Sequence, residues 1–497
     1  MSYFYTVFKS RNEKLSDWLS KNFLLFCVAL SIYVAIFVGR FSVARVFGEI
    51  FSEWFVLLEI RTWAITIAAL LVFTGWRKCR SNVICPIHQQ RVWVCLGFIA
   101  VAQLALMAHQ LLYLPGASPA YFIWELATII LIAAILGFAF QVWGIQLVNT
   151  VMWLGLLLSL LIALWMLLFT ISAKNTATSG LLPTTFTIYR IQIFGGFAAL
   201  ALLFECDKVV RGGWIMGISA TICFATSYLT LSKAALLAGT GGVLFLAAIY
   251  VTWYNKIRAG VVLSAYLSAV ILFVIISGGM FSARVSEGLL GTGYSLSMRD
   301  VLSQVPEGDD KLNVVRFEAQ KRLAEVVACT AGNYPCSFTV QPWEQDIADQ
   351  MLRFRVYIPD FSFRIRLLME GGRGIVHAPW MGNGFGTFNA VATNLYTKEF
   401  EAYSHPHNIV VELLYSVGIM GTMIVGGIMF FLVWLVMQVK EGLQPGLPML
   451  AYIVSVCIGA VFGGDYMDFR LAWFGFVFCI MLCAVGANKP AEARNSA

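Results

Sequence analysis

Two of the five histidines, His405 and His407, lie at the start of a long apolar run in SHPHNIVVELLYSVGIMG, residues 404–421. The run predicts a membrane helix, and its start suits a helix N-terminus because Ser404 can cap it and Pro406 is tolerated in the first turn. Helix N-termini attract anions and disfavour a second positive charge, which favours a neutral imidazole. With an ordinary histidine pKa of about 6.5, His407 is a candidate general base. The alternative is an amphipathic anchor at the membrane interface, the interpretation we favour for His405.

Other polar residues could support this histidine. Asn408 follows it directly, and Glu412 lies about one helical turn further on. We expect Glu412 to face the protein interior, because a carboxylate facing lipid is costly. Asp465, in the connection GGDYMDFR, could support His407 or Arg470 as readily as it could bind a metal ion.

A glycine-rich segment, APWMGNGFGTFN, lies upstream at residues 378–389. Its alternating Gly382, Gly384 and Gly386 favour neither helix nor strand and predict a loop. Exposed backbone N–H groups in such a loop can cradle a phosphate. A tight turn that shapes the mouth of the site is the interpretation we favour, because the lysine of a nucleotide-binding loop is missing.

The composition predicts an integral membrane protein. Of 497 residues, 59% are hydrophobic and 12% are charged, and a soluble fold would expose too much apolar surface. A spanning helix needs about 20 mostly apolar residues. Twelve such runs occur, and the first, after a charged leader, is predicted to be a retained helix and not a signal peptide. The runs cover residues 23–39, 54–74, 92–114, 119–140, 147–171, 188–204, 212–231, 234–251, 259–280, 407–437, 449–464 and 471–486.

Basic residues between these runs predict the orientation, since they remain on the cytoplasmic side. With the N-terminus inside, the chain divides into a bundle of about nine helices (1–280), a large external loop (281–406) and about three helices with a cytoplasmic tail (407–497). The loop has 12 basic and 14 acidic residues, and the remainder has 22 and 13. The overall charge of +7 therefore reflects membrane topology, and we expect no binding to nucleic acid.

Two cysteines, Cys329 and Cys336, lie in the predicted external loop in the stretch CTAGNYPC. The Gly, Asn and Pro between them suit a turn closed by a short disulfide in an oxidising compartment. Two free thiols are the alternative. The other nine cysteines lie in or near apolar runs or cytoplasmic turns, where cysteine is a small apolar residue.

The motifs around the histidine resemble those of the O-antigen ligase and polymerase family, which are membrane glycosyltransferases of the bacterial envelope. His407 and Asn408, with Gly418 and Gly421 downstream, are similar to the family's histidine signature, and residues 378–389 to its glycine-rich segment.

Three basic residues extend the resemblance, which covers about residues 225–470. Arg364 and Arg366 lie where the family has an arginine upstream of the glycines, and LTLSKAALLAG resembles a family helix start with Lys233 in place of the usual arginine. Lysine supplies charge without the bidentate fork.

The resemblance implies an all-α bundle like that of GT-C glycosyltransferases, with about twelve transmembrane helices and one large periplasmic loop. It implies an enzyme of the bacterial inner membrane whose active site faces the periplasm. The donor would be a glycan linked to undecaprenyl diphosphate. The acceptor would be lipid A-core for a ligase, which we favour, a second lipid-linked glycan for a polymerase, or a protein hydroxyl.

A diphosphate leaving group needs positive charge, and guanidinium forks suit its oxygens. Six candidates are placed on the outer side. We favour Arg364, Arg366, Lys233 and Arg190 over Arg373 and Arg284. For each, the alternative is interfacial snorkelling or a surface ion pair. We expect no cofactor and a metal-independent reaction, because the first external loop has no close pair of aspartates.

Two other classes of function compete with this one. A transporter of lipid-linked glycans also has about twelve helices, but its two halves usually match. This chain has about nine predicted helices before the large loop and about three after it. An assembly partner without catalysis would use the histidine as a passive anchor.

Overall fold

The structure is a computed structural model, and it describes residues 23–38, 60–78, 86–112, 119–172, 185–205, 209–229, 233–254, 256–277, 361–388, 406–438, 443–462 and 466–486. All regular secondary structure within these ranges is helical, so the predicted all-α class is confirmed for them. The helices are α1 (23–38), α2 (Ile60–Lys78), α3 (Pro86–Leu112), α4 (Pro119–Trp143), α5 (Ile145–Ser172), α6 (Thr185–Glu205), α7 (Val209–Leu229), α8 (Lys233–Ile249, with a π-helical extension Tyr250–Tyr254), α9 (Lys256–Ser277), α10 (Phe361–His377), α11 (Ile409–Met437), α12 (Leu443–Val461) and α13 (Tyr466–Gly486).

Each of the twelve apolar runs overlaps one of these helices. Among the described residues, six helices are long and apolar enough to cross a membrane, namely α3, α4, α5, α8, α9 and α11. Shorter apolar helices lie within α1, α2, α6, α7, α12 and α13. The chain therefore has the helices of a membrane-embedded protein, and twelve crossings remain a prediction.

The helices form a bundle with a fully buried centre. In α6, each residue of Ile188–Phe204 is buried, and so is each residue of Phe469–Ala484 in α13. Helix α12 packs against α6, α8 and α13, while α6 also packs against α5 and α7. Outer helices expose large apolar side chains, such as Ile275 of α9 and Phe430 of α11, as expected for a surface in contact with lipid.

Polar side chains also join the central helices. The Gln192 amide of α6 donates to the Ser159 carbonyl oxygen of α5 at 2.9 Å and accepts from the Thr226 hydroxyl of α7 at 3.0 Å. Hydrogen bonds of this kind hold transmembrane helices together, because a polar group in hydrocarbon has no water to bind.

The chain divides into two compact units. One comprises Met1–Ile276 and Glu370–Ala497, and the other is Ser277–Met369. The boundary lies within α10, so Glu370–His377 and the loop 378–388 belong to the helical unit. This part of the predicted external loop therefore folds with the helices.

Candidate functional site

His407 lies just before α11 and outside it. Its φ of 55° puts it in the left-handed region, which non-glycine residues adopt seldom and at some cost. The helix cap is Asn408, and α11 begins at Ile409. The predicted start of this helix at 407, with Ser404 as its cap, is therefore wrong. Asn408 serves as the cap because its side chain reaches the first free N–H groups of the helix.

Asn408 uses both ends of its amide. The Oδ1 atom accepts from the backbone N–H of Val410 at 3.0 Å and of Val411 at 3.1 Å. The Nδ2 atom donates to the Val461 carbonyl oxygen at 3.0 Å. Asn408 therefore ties the start of α11 to the end of α12 and fixes the backbone that follows His407.

The loop 378–388 docks into a break in α11. At Gly418 the backbone has φ 65° and ψ −170°, which interrupts the helix. In a regular helix, the N–H groups of residues 419 and 420 would bond the carbonyls of residues 415 and 416. Here all four groups bond the loop, through Ile419 N to Pro379 O (2.8 Å), Met420 N to Trp380 O (3.2 Å), Asn383 N to Tyr415 O (2.7 Å) and Gly384 N to Ser416 O (2.8 Å). The loop thus replaces two helical hydrogen bonds with four.

Glycine is required at both sides of this contact. Gly382 has φ 71°, and a Cβ there would lie 2.5 Å from the Gly418 nitrogen. A Cβ on Gly418 would collide with the Trp380 carbonyl. The two backbones can approach this closely only because neither residue has a side chain.

The loop is also held from the side of α3 and α4. The Gln110 amide at the end of α3 pairs with the Phe385 backbone, accepting from its N–H at 2.9 Å and donating to its carbonyl oxygen at 3.1 Å. Phe385 stacks on Phe122 of α4, with ring centroids 5.9 Å apart. The N–H groups of Gly382, Asn383, Gly384 and Phe385 all donate to internal acceptors. They are therefore committed to packing, which disfavours a phosphate cradle at these four residues.

A buried ion cluster joins α2, α4 and α13. The Arg61 guanidinium bonds both carboxylate oxygens of Glu125, at 2.5 and 2.7 Å, and the Thr128 hydroxyl at 3.2 Å. Arg470 donates to the same carboxylate at 3.1 Å. Arg61 and Glu125 are 0% exposed, and Arg470 is 8% exposed. One carboxylate therefore serves two buried cations, the pairing that such charges need away from water.

Arg190 lies near the start of α6 and is also buried. Its guanidinium lies over the Tyr189 ring, 5.4 Å from the centroid, and its Nε donates to the Tyr189 hydroxyl at 3.3 Å. The same hydroxyl lies 2.9 Å from a Cβ built on Gly459 of α12. The end of α12 therefore lies against Tyr189 and, through Val461, against Asn408.

These contacts place the predicted residues at one end of the helical unit. We call this the His407 end, defined by His407, the loop 378–388, the ion cluster and Arg190. Glu412, in the first turn of α11, is buried there, and Gly382, Gly384 and Gly386 lie in the loop. Lys233 is the first residue of α8, whose Ala238 lies 3.5 Å from a Cβ built on Gly459.

For the other predicted residues, the described structure gives no side-chain contacts. Arg364 and Arg366 lie in α10 within the unit Ser277–Met369. The side chains of these arginines and of Lys233 are outside what the structure describes, as are His405, Asp465, Cys329 and Cys336.

Sequence reasoning missed the Arg61–Glu125 pair and the Gln110 clamp on the loop. The pair had a signal, since Glu125 is the one charge in its apolar run and Arg61 shares its run only with Glu59. Such charges usually face the bundle interior and pair. Gln110 had no comparable signal, because a polar residue near a helix end is ordinary.

Replacing Glu125 by Gln is expected to lower stability by about 3–5 kcal/mol, because Arg61 and Arg470 lose their shared charge partner. The melting temperature of the purified protein in detergent measures the effect. Thr128→Val, which removes one hydrogen bond to Arg61, should lower it by less. Equal melting temperatures of Glu125→Gln and the wild type would show that the ion cluster adds nothing to stability.

Comparison with known proteins finds no family model that matches the chain, and no curated protein sequence matches it either.

Proposed function

We propose that the chain is an inner-membrane glycosyltransferase that moves a glycan from undecaprenyl diphosphate to an acceptor hydroxyl on the periplasmic face. The observation that carries the proposal is the conformation of His407. His407 has a left-handed backbone conformation and lies directly before the helix cap Asn408, which α12 holds through Val461. Buried arginines lie at the same end of the bundle. Backbone strain of this kind concentrates at functional sites. The motif resemblance and the basic residues between the apolar runs supply the reaction class and the orientation.

In the reaction, the His407 imidazole accepts the proton of the acceptor hydroxyl. The hydroxyl oxygen attacks the anomeric carbon, and the bond from that carbon to the diphosphate oxygen breaks. The electron pair leaves with undecaprenyl diphosphate. Because negative charge develops on the leaving oxygen, nearby cations lower the barrier most as this bond breaks. Asn408 holds the backbone of His407, and Glu412 supports the site from the first turn of α11.

The diphosphate requires basic residues, and we assign Arg364, Arg366, Lys233 and Arg190 to it. Arginine binds two phosphate oxygens at once, whereas lysine acts as a point charge. Arg470 serves the site indirectly, since it pairs with Glu125, the same carboxylate that binds Arg61. Asp465 supports the same region.

The acceptor is proposed to be lipid A-core, which makes the protein an O-antigen ligase. The test is transfer in vitro from a defined undecaprenyl diphosphate glycan to lipid A-core, to a second lipid-linked glycan and to a protein hydroxyl in turn. Product on lipid A-core alone supports the ligase. Product only on one of the other acceptors replaces it with a polymerase or a protein glycosyltransferase. Movement of the donor across vesicles without new glycosidic bonds would identify a transporter and refute the proposal.

Chelation is expected to leave the reaction unchanged. The proposed residues supply the positive charge and the base, so a divalent cation has no step to perform. The measurement is the transfer rate with and without EDTA, followed by addition of Mg²⁺ or Mn²⁺. Loss of activity in EDTA that a cation restores would show that the reaction depends on a metal.

A further inference from the structure

Helices α3 and α11 pack side by side and run in opposite directions. Their contacts show which residues of the two helices lie at the same level. The rings of Phe98 and Phe431 are 4.2 Å apart between centroids. Eleven residues separate Phe98 from His109, and eleven separate Met420 from Phe431, about 16 Å along either helix. The His109 Nε2 atom contacts the Met381 carbonyl oxygen at 2.5 Å. The Met420 N–H donates to the carbonyl oxygen of Trp380, the residue before Met381. His109 and Met420 therefore lie at the same level.

This level marks the edge of the apolar layer at the His407 end. Among the described side chains, the apolar span of α3 extends to Leu111, two residues past His109. On α11, Val410 is exposed in the first turn, no residue from 411 to 419 is exposed, and a series of exposed apolar residues begins with Met420 and Met423. From Met420 to Met437, α11 is about 27 Å long, close to the thickness of the hydrocarbon core. The eleven residues of α11 that precede Met420 therefore extend beyond that core, about 16 Å toward His407.

The end of α10 and the loop cover this extension of α11. A Cβ on Gly371 would collide with Val411, and one on Gly374 would collide with Tyr415. Pro379 then bonds Ile419. From Gly371 onward, residues of α10 thus meet residues along α11 in the same order, so this end of α10 runs parallel to α11 and approaches the apolar edge at His377.

The outer face of this covering combines apolar and basic side chains. Trp380 is 64% exposed and lies at the apolar edge, and Val376 is 80% exposed one turn above it. Arg373 and His377 are exposed on the same stretch and, four residues apart, lie on one face of α10. Tryptophan at the edge of the apolar layer with basic residues above it is the arrangement found at the headgroup level of membranes.

We propose that Arg373 and His377 bind the phosphodiester of an anionic membrane phospholipid, with Trp380 against its glycerol and Met423 beside its acyl chains. The Arg373 guanidinium supplies charge and paired donors, and the His377 ring supplies one N–H. The charge of these residues suits an anionic lipid better than a zwitterionic one. The inference rests on membrane embedding and not on glycosyl transfer.

The test uses full-length protein in nanodiscs that contain phosphatidylglycerol or phosphatidylcholine, each with a diazirine near the headgroup. After illumination, mass spectrometry measures the lipid adducts on peptides that contain Trp380–Met381 and Met420–Met423. Labelling by phosphatidylglycerol should exceed labelling by phosphatidylcholine. It should fall about fivefold in Arg373→Gln, the effect of one basic charge near an anionic surface, and further when His377→Gln is added.

The protein provides its own control. Val274 and Ile275, near the end of α9, are exposed apolar residues, and their labelling should be unchanged by either substitution. Arg373→Lys should keep part of the preference, because the charge remains. Equal labelling by the two lipids would overturn the proposal, as would labelling near Trp380 that Arg373→Gln does not reduce. A parallel loss at α9 with a lower melting temperature would also contradict it, since Arg373 would then stabilise the fold.

Discussion

Replacing His407 by Asn is expected to lower the rate of glycan transfer by about 10²–10⁴-fold, the usual contribution of a general base. Asparagine is chosen because it tolerates the left-handed backbone that His407 adopts, whereas alanine would add strain of its own. The amide cannot accept the proton of the acceptor hydroxyl. The measurement is initial rate with a labelled undecaprenyl diphosphate glycan in membranes that contain matched amounts of each variant.

The control separates the imidazole from the fold. His407→Asn should melt at nearly the wild-type temperature, and His88→Asn, near the start of α3 at the opposite end of that helix, should retain full activity. If His407→Asn keeps more than about a tenth of the wild-type rate, the loss is much smaller than the one expected for a general base. His407 would then not be the residue that accepts the proton. The histidine would then be an anchor.

The second large effect is expected at the break in α11. Gly418→Ala should lower stability by several kcal/mol. Alanine at φ 65° and ψ −170° costs about 1–3 kcal/mol, because this conformation is essentially restricted to glycine. The collision with the Trp380 carbonyl also disrupts four hydrogen bonds worth about 1 kcal/mol each. Gly382→Ala should have a similar effect, because its Cβ would meet the same contact from the other side. Thermal denaturation in detergent measures the loss.

Two comparisons make this prediction sharp. Gly426→Ala lies in the same helix with open space around its Cβ, so it should be neutral or stabilise by up to about 1 kcal/mol. The double variant of Gly382 and Gly418 should lose less than the sum of the two single losses, because both break one contact. Strict additivity, or a stable Gly418→Ala, would show that the loop does not depend on this approach.

The helices of this fold were predictable because an apolar run of about 20 residues has few alternatives to a helix. The loop at Gly382, Gly384 and Gly386 was predictable for a similar reason, since alternating glycines suit neither helix nor strand. Its docking was not, because the bonds from Ile419 and Met420 to the loop depend on which backbone lies beside Gly418. No local pattern marks that choice.

The helix start near His407 shows the same limit. Ser404 and Asn408 are both good caps by residue type, and the sequence alone favoured the first. The structure uses Asn408 because its amide also reaches Val461 of α12, and a contact between distant segments decides between two local options. Arg61 and Glu125 differ, since charges inside apolar runs were a visible signal for a buried pair.

Synthesis proceeds from the amino terminus, so Gln110 and the loop 378–388 leave the ribosome before the part of α11 that follows the break at Gly418. The acceptors and donors that fill the break at Gly418 are therefore already made when Ile419 and Met420 emerge. These two amides never have to wait for a later segment. Arg61 is in the opposite position, since Glu125 follows 64 residues later and Arg470 another 345 after that. The break in α11 can close during translation, whereas the ion cluster is complete only after almost the whole chain has been inserted.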